Sequence, residues 1–183
     1  MMSKKFSLMR NNNLIKTVKA SEIVLGIDPG YDRLGICIIK KNSNNKEELL
    51  YSHCLQTSSK SDIYTRMFEI SEFVTKIIKE YEPDSLAIET LFITKNQKTA
   101  MRVSEVRGII INEAMKNNMG IYEFSPMEIK MAITGDGSSD KARIKKMLEL
   151  LIEIKNKKAL DDEYDAIAVA LTRLSTGRLY CKK

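Results

Sequence analysis

The feature that most constrains this 183-residue chain is an apolar run that ends on an acid. The stretch IVLGIDPGYDRLGICII, residues 23–39, contains two apolar runs separated by a turn through Pro29 and Gly30. A continuous apolar run is typical of a central strand that is buried on both faces. Asp28 closes the first run, and a carboxylate is costly to bury alone. Either the turn exposes Asp28 to water, or positive charge lies beside it.

Hydrophobic periodicity predicts an α/β fold. Apolar runs predict five strands, at residues 23–28, 33–41, 47–57, 85–89 and 120–124. Helical spacing predicts helices at 61–81, 96–117, 126–133, 139–154 and 162–175. The order βββαβαβ, followed by helices, indicates an antiparallel first hairpin that feeds a mixed sheet.

Composition narrows the possible chemistry. His53 is the only histidine, and the three cysteines, Cys37, Cys54 and Cys181, form no CxxC pair. Structural zinc and histidine-based triads are therefore poor explanations, and buried reduced thiols are expected. No run approaches the eighteen or so apolar residues of a membrane helix. We expect a cytoplasmic protein that does not bind membranes.

The chain divides into a short arm, one domain and a short tail. Residues 1–22 hold five basic residues and one acid, which is +4 of the net charge of +6. We interpret them as a flexible basic arm whose low acid content indicates organelle targeting only weakly. Residues 23–176 are predicted to form one domain, and residues 177–183 a short basic tail.

Four acids lie where a catalytic site can form. Asp28 and Glu89 each end an apolar strand, and such strand ends meet at one edge of an α/β sheet. Asp162 and Asp165 are three residues apart in LDDEYDAIAVAL, so a helix places them on one face. Four neighbouring carboxylates would repel one another, and a hard cation such as Mg²⁺ removes that cost.

Each acid also has an ordinary explanation. Asp28 fits a simple turn with Pro29 and Gly30, and Glu89 fits a solvent-exposed strand end. Asp161, Asp162 and Asp165 fit the acidic start of a helix. A shared metal site explains all of these positions at once, whereas the ordinary explanations need a separate reason for each.

Four segments resemble the RuvC family of Holliday junction resolvases. They are LGIDPGYDRLGICII, LAIETLFITKNQKTAMRVSEVRG, YEFSPMEIKMAITGDGSSDKARI and DDEYDAIAVALT, and together they extend over nearly all of the chain from Ile23 onward. Their order and spacing are far more specific than one short motif. The resemblance implies an RNase H-like fold, with a five-stranded mixed sheet flanked by helices.

The resemblance also implies an activity. It indicates a homodimeric endonuclease that nicks two strands of a four-way DNA junction symmetrically, in recombination and repair. Two Mg²⁺ ions per site are expected, with Mn²⁺ as a substitute. The motif match assigns Asp28, Glu89, Asp162 and Asp165 as catalytic metal ligands, although Asp161 is also one turn from Asp165. A branch-migration motor is a further partner that the family suggests.

Basic and aromatic residues are expected at the DNA. Lys130 and Lys141 match family lysines near the scissile phosphate, and Phe92 matches an aromatic residue that stacks on bases. Tyr31, Lys95, Lys98, Arg102 and Arg107 are further candidates near the acids. Solvated lysines and arginines and a core phenylalanine would give the same pattern. In the 96–117 helix, Val103, Val106, Ile110 and Ala114 form a stripe that fits either a dimer interface or the core.

Three other functions remain open from the residues. An RNase H-like nuclease acting on RNA–DNA hybrids or other branched nucleic acids would use the same acids. The segment GIDPGYDRLG is also similar to a phosphate loop of actin-like ATPases, but those need two such domains and a longer chain. A module that binds junctions without cutting them would not need all four acids.

Overall fold

The structure is a computed structural model that describes residues 21–91, 97–156 and 159–176. The strands are β1 (Glu22–Asp28), β2 (Arg33–Lys41), β3 (Glu47–Gln56), β4 (Ser85–Glu89) and β5 (Gly120–Phe124). The helices are α1 (Ile63–Tyr81), α2 (Gln97–Lys116), α3 (Pro126–Thr134), α4 (Lys141–Leu151) and α5 (Asp161–Ser175). All ten predicted elements are present, in the predicted order.

The strands form one mixed sheet in the order β3-β2-β1-β4-β5. β1 pairs with β2 antiparallel and with β4 parallel, and β4 pairs with β5 parallel. The predicted antiparallel hairpin feeding a mixed sheet is therefore confirmed. β1 lies at the centre of the sheet, which explains why its sequence is an uninterrupted apolar run.

Alternation along β1 divides the core into two layers. Leu25 and Ile27 face the layer that contains α1 and α2. Val24 faces the opposite layer, where α3, α4 and α5 pack. Because side chains in a strand alternate between faces, Gly26 and Asp28 face the same layer as Val24. Asp28 therefore faces the layer that contains α5.

Local sequence signals set the helix starts. Asp62 and Asp140 accept backbone hydrogen bonds at the starts of α1 and α4, and Ser125 forms a capping box with Glu128 before α3. The prediction placed the end of α4 at residue 154. The helix ends three residues earlier because Ile152 adopts an extended backbone conformation.

The apolar stripe on α2 belongs to the intramolecular core. Val106, Ile110 and Ala114 are buried against the sheet, whereas Val103 is only half-buried, so the core explains three of the four stripe residues. Cys37 and Cys54 are buried free thiols, as predicted. Cys181, Phe92, Lys95 and most of the basic arm lie outside the described residues. Of the helices in the described ranges, none is both long and apolar enough to cross a membrane.

Candidate active site

Two carboxylates lie at adjacent strand ends. Ile27 of β1 pairs in parallel with Ile88 of β4, and Asp28 and Glu89 are the next residues on each strand. Ala87 contacts the α5 layer, so Glu89, two residues further on, faces the same layer as Asp28. The expectation from the strand ends is met, since both acids lie on one face at the carboxyl edge of two parallel strands.

Two glycines bring α5 down onto this edge. A Cβ atom on Gly35 of β2 would lie 1.9 Å from the carbonyl oxygen of Asp162, and one on Gly26 would lie 2.4 Å from that of Ala166. The Cys37 thiol also donates a hydrogen bond to the Ala166 carbonyl, at 3.2 Å. Only strands without side chains at these points allow the helix backbone this close. The first turns of α5 therefore lie directly over the strand ends.

The acids interact strongly. Burial raises the pKa of Asp28 to about 7, and the negative charges of Asp165, Glu89 and Asp162 add to the shift. Burial, followed by the charge of Asp165, raises the pKa of Glu89. Burial also raises the pKa of Asp165. Mutual repulsion at this edge favours either protonation or a bound cation.

Each of the two helix carboxylates has a basic partner. Lys141, the first residue of α4, donates from Nζ to Asp165 Oδ2 at 3.1 Å. Arg33, the first residue of β2, forms an ion pair with Asp162. Neither partner belongs to the strands that carry Asp28 and Glu89. Of the two alternatives that the sequence left for Asp28, positive charge is provided by Lys141, which lowers the pKa of Asp28.

Asp161 and Asp162 face different surroundings. Asp162 raises the pKa of Asp28, whereas Asp161 is exposed and lines a cleft between α4 and α5 with Lys141 and Lys145. Both are in the first turn of α5, so they also favour the helix dipole. The position of Asp162 relative to Asp28 favours it over Asp161 as a member of the cluster.

The donor chemistry suits a hard divalent cation, although the side chains do not converge on one. Carboxylate oxygens are the ligands that Mg²⁺ prefers. Yet across 21–91, 97–156 and 159–176, no three acidic, histidine or cysteine side chains lie close enough together to hold one ion. Two of the four carboxylates are instead paired with basic side chains, Asp162 with Arg33 and Asp165 with Lys141.

The other predicted DNA contacts are spread around the site. Lys130 is half-buried on α3, and Arg102 on α2 pairs with Glu105 at 2.9 Å. The Tyr31 ring lies in the loop after Asp28, with the Arg66 guanidinium 5.0 Å from its centre. Arg107 is a correction: it is buried and binds the Glu89 carbonyl and the Glu123 carboxylate, so it presents no surface to a phosphate.

Sequence reasoning missed two arginines that support the site. Arg33 stands two residues before Gly35, so it shares the face on which α5 lies. Arg66 is buried and donates to the Tyr31 carbonyl at 2.9 Å and to Thr57 Oγ1 at 2.8 Å. The signal for Arg66 was a charged residue three positions after Ile63, within the apolar stripe of α1.

The chain matches one protein family over most of its length. The family model "Crossover junction endodeoxyribonuclease RuvC" matches residues 24–173. A curated protein of that name from Thermosipho melanesiensis is 40% identical over 147 residues, which are 80% of this chain and 93% of the relative. Its namesake from Brachyspira hyodysenteriae is 37% identical over 158 residues, 86% of this chain and 97% of the relative.

Solved structures show a similar fold. T. thermophilus RuvC in complex with a Holliday junction substrate matches with a TM-score of 0.80 and 26% identity, over 86% of this chain and 95% of that one. The yeast mitochondrial Holliday junction resolvase Ydc2 matches with a TM-score of 0.63 and 15% identity, over 83% and 77% of the two chains. The second likeness supports the fold alone.

Proposed function

Because the chain belongs to the RuvC family of crossover junction endodeoxyribonucleases, we propose that its carboxylate cluster resolves four-way DNA junctions. The reaction is hydrolysis of a phosphodiester bond in each of two strands, during recombination and repair. One observation carries the assignment of the site. Asp28 and Glu89 end adjacent parallel strands beneath the first turns of α5, and burial with neighbouring negative charge raises the pKa of Asp28 to about 7.

We assign metal binding to Asp28, Glu89, Asp162 and Asp165. Two Mg²⁺ ions, or Mn²⁺ in their place, would supply an activated water and a stabilised leaving oxygen. Asp28 is the best candidate for a shared ligand, because it ends the central strand and feels the charge of the other three acids. The backbone of Glu89 is held in place by the buried Arg107, which donates a hydrogen bond to the Glu89 carbonyl.

The basic residues around the cluster would hold the cut strand. Lys141 begins α4, and its ammonium group favours a phosphate beside the cluster. Lys130 and Arg102 lie on α3 and α2, where they would contact neighbouring phosphates. Tyr31 would contact a nucleotide from the loop after Asp28. Stacking by Phe92 and a contact from Lys95 remain predictions outside the described residues.

Two symmetric nicks require two sites, and α2 offers a surface for a second copy. Residues 101, 104, 108, 111 and 115 follow the spacing of a coiled-coil seam. Met101 and Met115 are 64% and 60% exposed on this seam, and a Cβ on Gly108 would meet no atom within 4 Å. The seam has an exposed methionine at each end and a small residue at its centre, while Ile111 is half-buried against the core. This outline suits close approach of a partner helix. We propose that the homodimer forms through this α2 seam.

Other features are proposed from family membership alone. They are cooperation with a branch-migration motor and a location in the cytoplasm with the nucleoid. Neither is needed for the chemistry of the site. Co-purification of the chain with such a motor on a junction would test the first.

The substrate is tested by comparing cleavage of three nucleic acids of the same sequence. With Mg²⁺, the protein is expected to nick a synthetic four-way junction in two strands of like polarity, at symmetric positions. A linear duplex and an RNA–DNA hybrid of the same sequence should remain intact. Cutting of the hybrid instead of the junction would contradict the proposal and favour an RNase H-like nuclease.

A further inference from the structure

Arg33 is placed by the fold and not by a mobile surface segment. It opens β2 opposite Gln56 of β3. It lies on the same face of the sheet as Gly35, where the Asp162 backbone makes its closest approach. The Arg33 guanidinium pairs with the Asp162 carboxylate and with the Cys54 thiol. The pair lies at the rim of the site, since the side chains are 46% and 20% exposed.

This pairing conflicts with the role proposed for Asp162. A carboxylate oxygen that accepts from a guanidinium cannot point the same lone pair at a metal ion. Among the residues that the structure describes, the acids form no group of three around one point. Arg33 pairs with Oδ2 of Asp162, so a metal ion that uses both oxygens of this carboxylate must compete with Arg33. The Arg33 end of the pair is 46% exposed, so water can solvate the guanidinium when the pair opens, which lowers the cost of exchange.

We infer that Arg33 is an exchangeable counter-ion that holds Asp162 in the metal-free protein and passes to a phosphate of the bound DNA strand when metal takes Asp162. This inference rests on the proposed function. The planar guanidinium can bind two phosphate oxygens at once, a geometry that a lysine ammonium cannot match. Released from Asp162, it remains at the edge where the scissile strand must lie.

The second acid of the α5 cluster, Asp165, is paired with a basic residue in the same way. Lys141 holds Asp165 from α4, and Arg33 holds Asp162 from β2. Arg33 begins β2 on one side of β1, whereas the charge of Lys141 acts on Glu89 of β4 on the other side. The two cations therefore flank the cluster. A strand lying across Asp28 would meet one cation on each side. Arg33 is thus inferred to hold a phosphate on the side opposite Lys141.

The test measures metal binding and cleavage separately. Mn²⁺ alone is titrated by calorimetry into the full-length native protein and the Arg33→Gln variant, without DNA. Loss of the competing cation is expected to tighten Mn²⁺ binding by about three- to fivefold. In single-turnover cleavage of a four-way junction at saturating Mn²⁺, the same variant is expected to be slower by about tenfold. A merely structural role would weaken both properties together.

Two variants complete the experiment. Arg33→Lys retains the charge, so its Mn²⁺ affinity should stay near that of the native protein while cleavage falls partway. Lys40→Gln removes a positive charge at the far end of β2 and should change neither property. Unchanged or weaker Mn²⁺ binding by Arg33→Gln would overturn the inference, as would tighter binding with unimpaired cleavage. Failure of the proposed function is distinguishable, because the native protein would then not cut the junction while the Mn²⁺ titration still reports on Arg33.

Discussion

Gly35 lies directly against the backbone of Asp162. A Cβ atom at Gly35 would stand 1.9 Å from the Asp162 carbonyl oxygen and 2.5 Å from its carbonyl carbon. The neighbour is helix backbone and not the end of a flexible side chain, so it cannot rotate away. The height of α5 above the sheet, and with it the position of the helix acids, depends on this one missing side chain.

Replacing Gly35 by alanine should therefore move α5 away from the strand ends. We expect the free energy of unfolding to fall by about 2–3 kcal/mol, the scale of overpacking in a filled core. The rate of junction cleavage should fall by more than the loss of folded protein explains. Urea unfolding and single-turnover cleavage measure the two effects. Lys76→Ala, at an exposed position on α1, is the control and should not destabilise the fold. A Gly35→Ala protein of native stability would contradict the close packing.

The raised pKa of Asp28 predicts how metal-free stability depends on pH. The folded-state pKa is about 7 against an ordinary value of 3.8. The folded protein therefore binds more protons than the unfolded chain between about pH 4 and pH 7, so stability falls as the pH rises through this window. Glu89 and Asp165 act in the same direction.

Asp28→Asn should remove the largest part of this dependence. Urea unfolding in the presence of a chelator measures the free energy of unfolding of both proteins at about pH 5 and about pH 8. From the lower to the higher pH, the stability of the variant relative to the native protein should rise by about 2–4 kcal/mol. The same stability slope in both proteins would show that Asp28 is not held in a repulsive cluster.

The two neighbouring acids of α5 should respond differently to loss of charge. Asp162→Asn removes an acid that acts on Asp28 and should slow junction cleavage by at least about a hundredfold. Asp161→Asn changes an exposed residue of the same type one position away and should retain activity within about threefold. Single-turnover rates at saturating Mg²⁺ measure both. The reverse order would assign the metal ligand to Asp161.

Arg66 should stabilise the fold by anchoring the loop that follows Asp28. Its guanidinium is buried and binds the Tyr31 carbonyl, Thr57 and the Asp32 carboxylate. Arg66→Gln is expected to cost about 2–3 kcal/mol of unfolding free energy, because a buried guanidinium and its hydrogen bonds to three partners are lost together. Arg102→Gln breaks an exposed pair with Glu105 and should cost less than about 0.5 kcal/mol. Equal costs by urea unfolding would contradict the anchoring role of Arg66.

The α2 seam predicts which methionine matters for assembly. Met115→Glu places a charge on the proposed dimer interface and should raise the dimer dissociation constant by at least about tenfold. Met131→Glu changes a methionine on α3 that is 53% exposed and should leave assembly unchanged. Sedimentation velocity over a concentration series measures both. Equal effects, or none from Met115→Glu, would place the interface elsewhere.

The strand ends could be predicted from the sequence because their cause is local. Asp28 and Glu89 each follow an apolar run, and parallel strands necessarily bring their carboxyl ends to one edge. The pairing of Arg33 with Asp162 could not be predicted in this way. The two residues are 129 positions apart, and their contact depends on how closely α5 approaches β2 at Gly35.

The two faces of α2 show a similar difference. Val106 and Ile110 have the 3.6-residue spacing of a core stripe, and that pattern dominates the helix. The exposed seam through Met101 and Met115 is interrupted by serine and glycine, so its hydrophobic signal is weak. Which stripe faces the sheet becomes clear only from the packed structure. Arg107 was misjudged for the same reason, since its burial depends on packing against β4 and β5.

The central claim is that the cluster around Asp28 cuts four-way junctions. The most direct test is single-turnover cleavage of a synthetic junction with Mg²⁺ by the native protein, by Asp28→Asn, and by Glu48→Gln on exposed β3 as the control. We predict paired, symmetric nicks by the native protein and the control, with Asp28→Asn slower by at least about a thousandfold while still binding the junction. Cleavage by Asp28→Asn at the native rate would contradict the account.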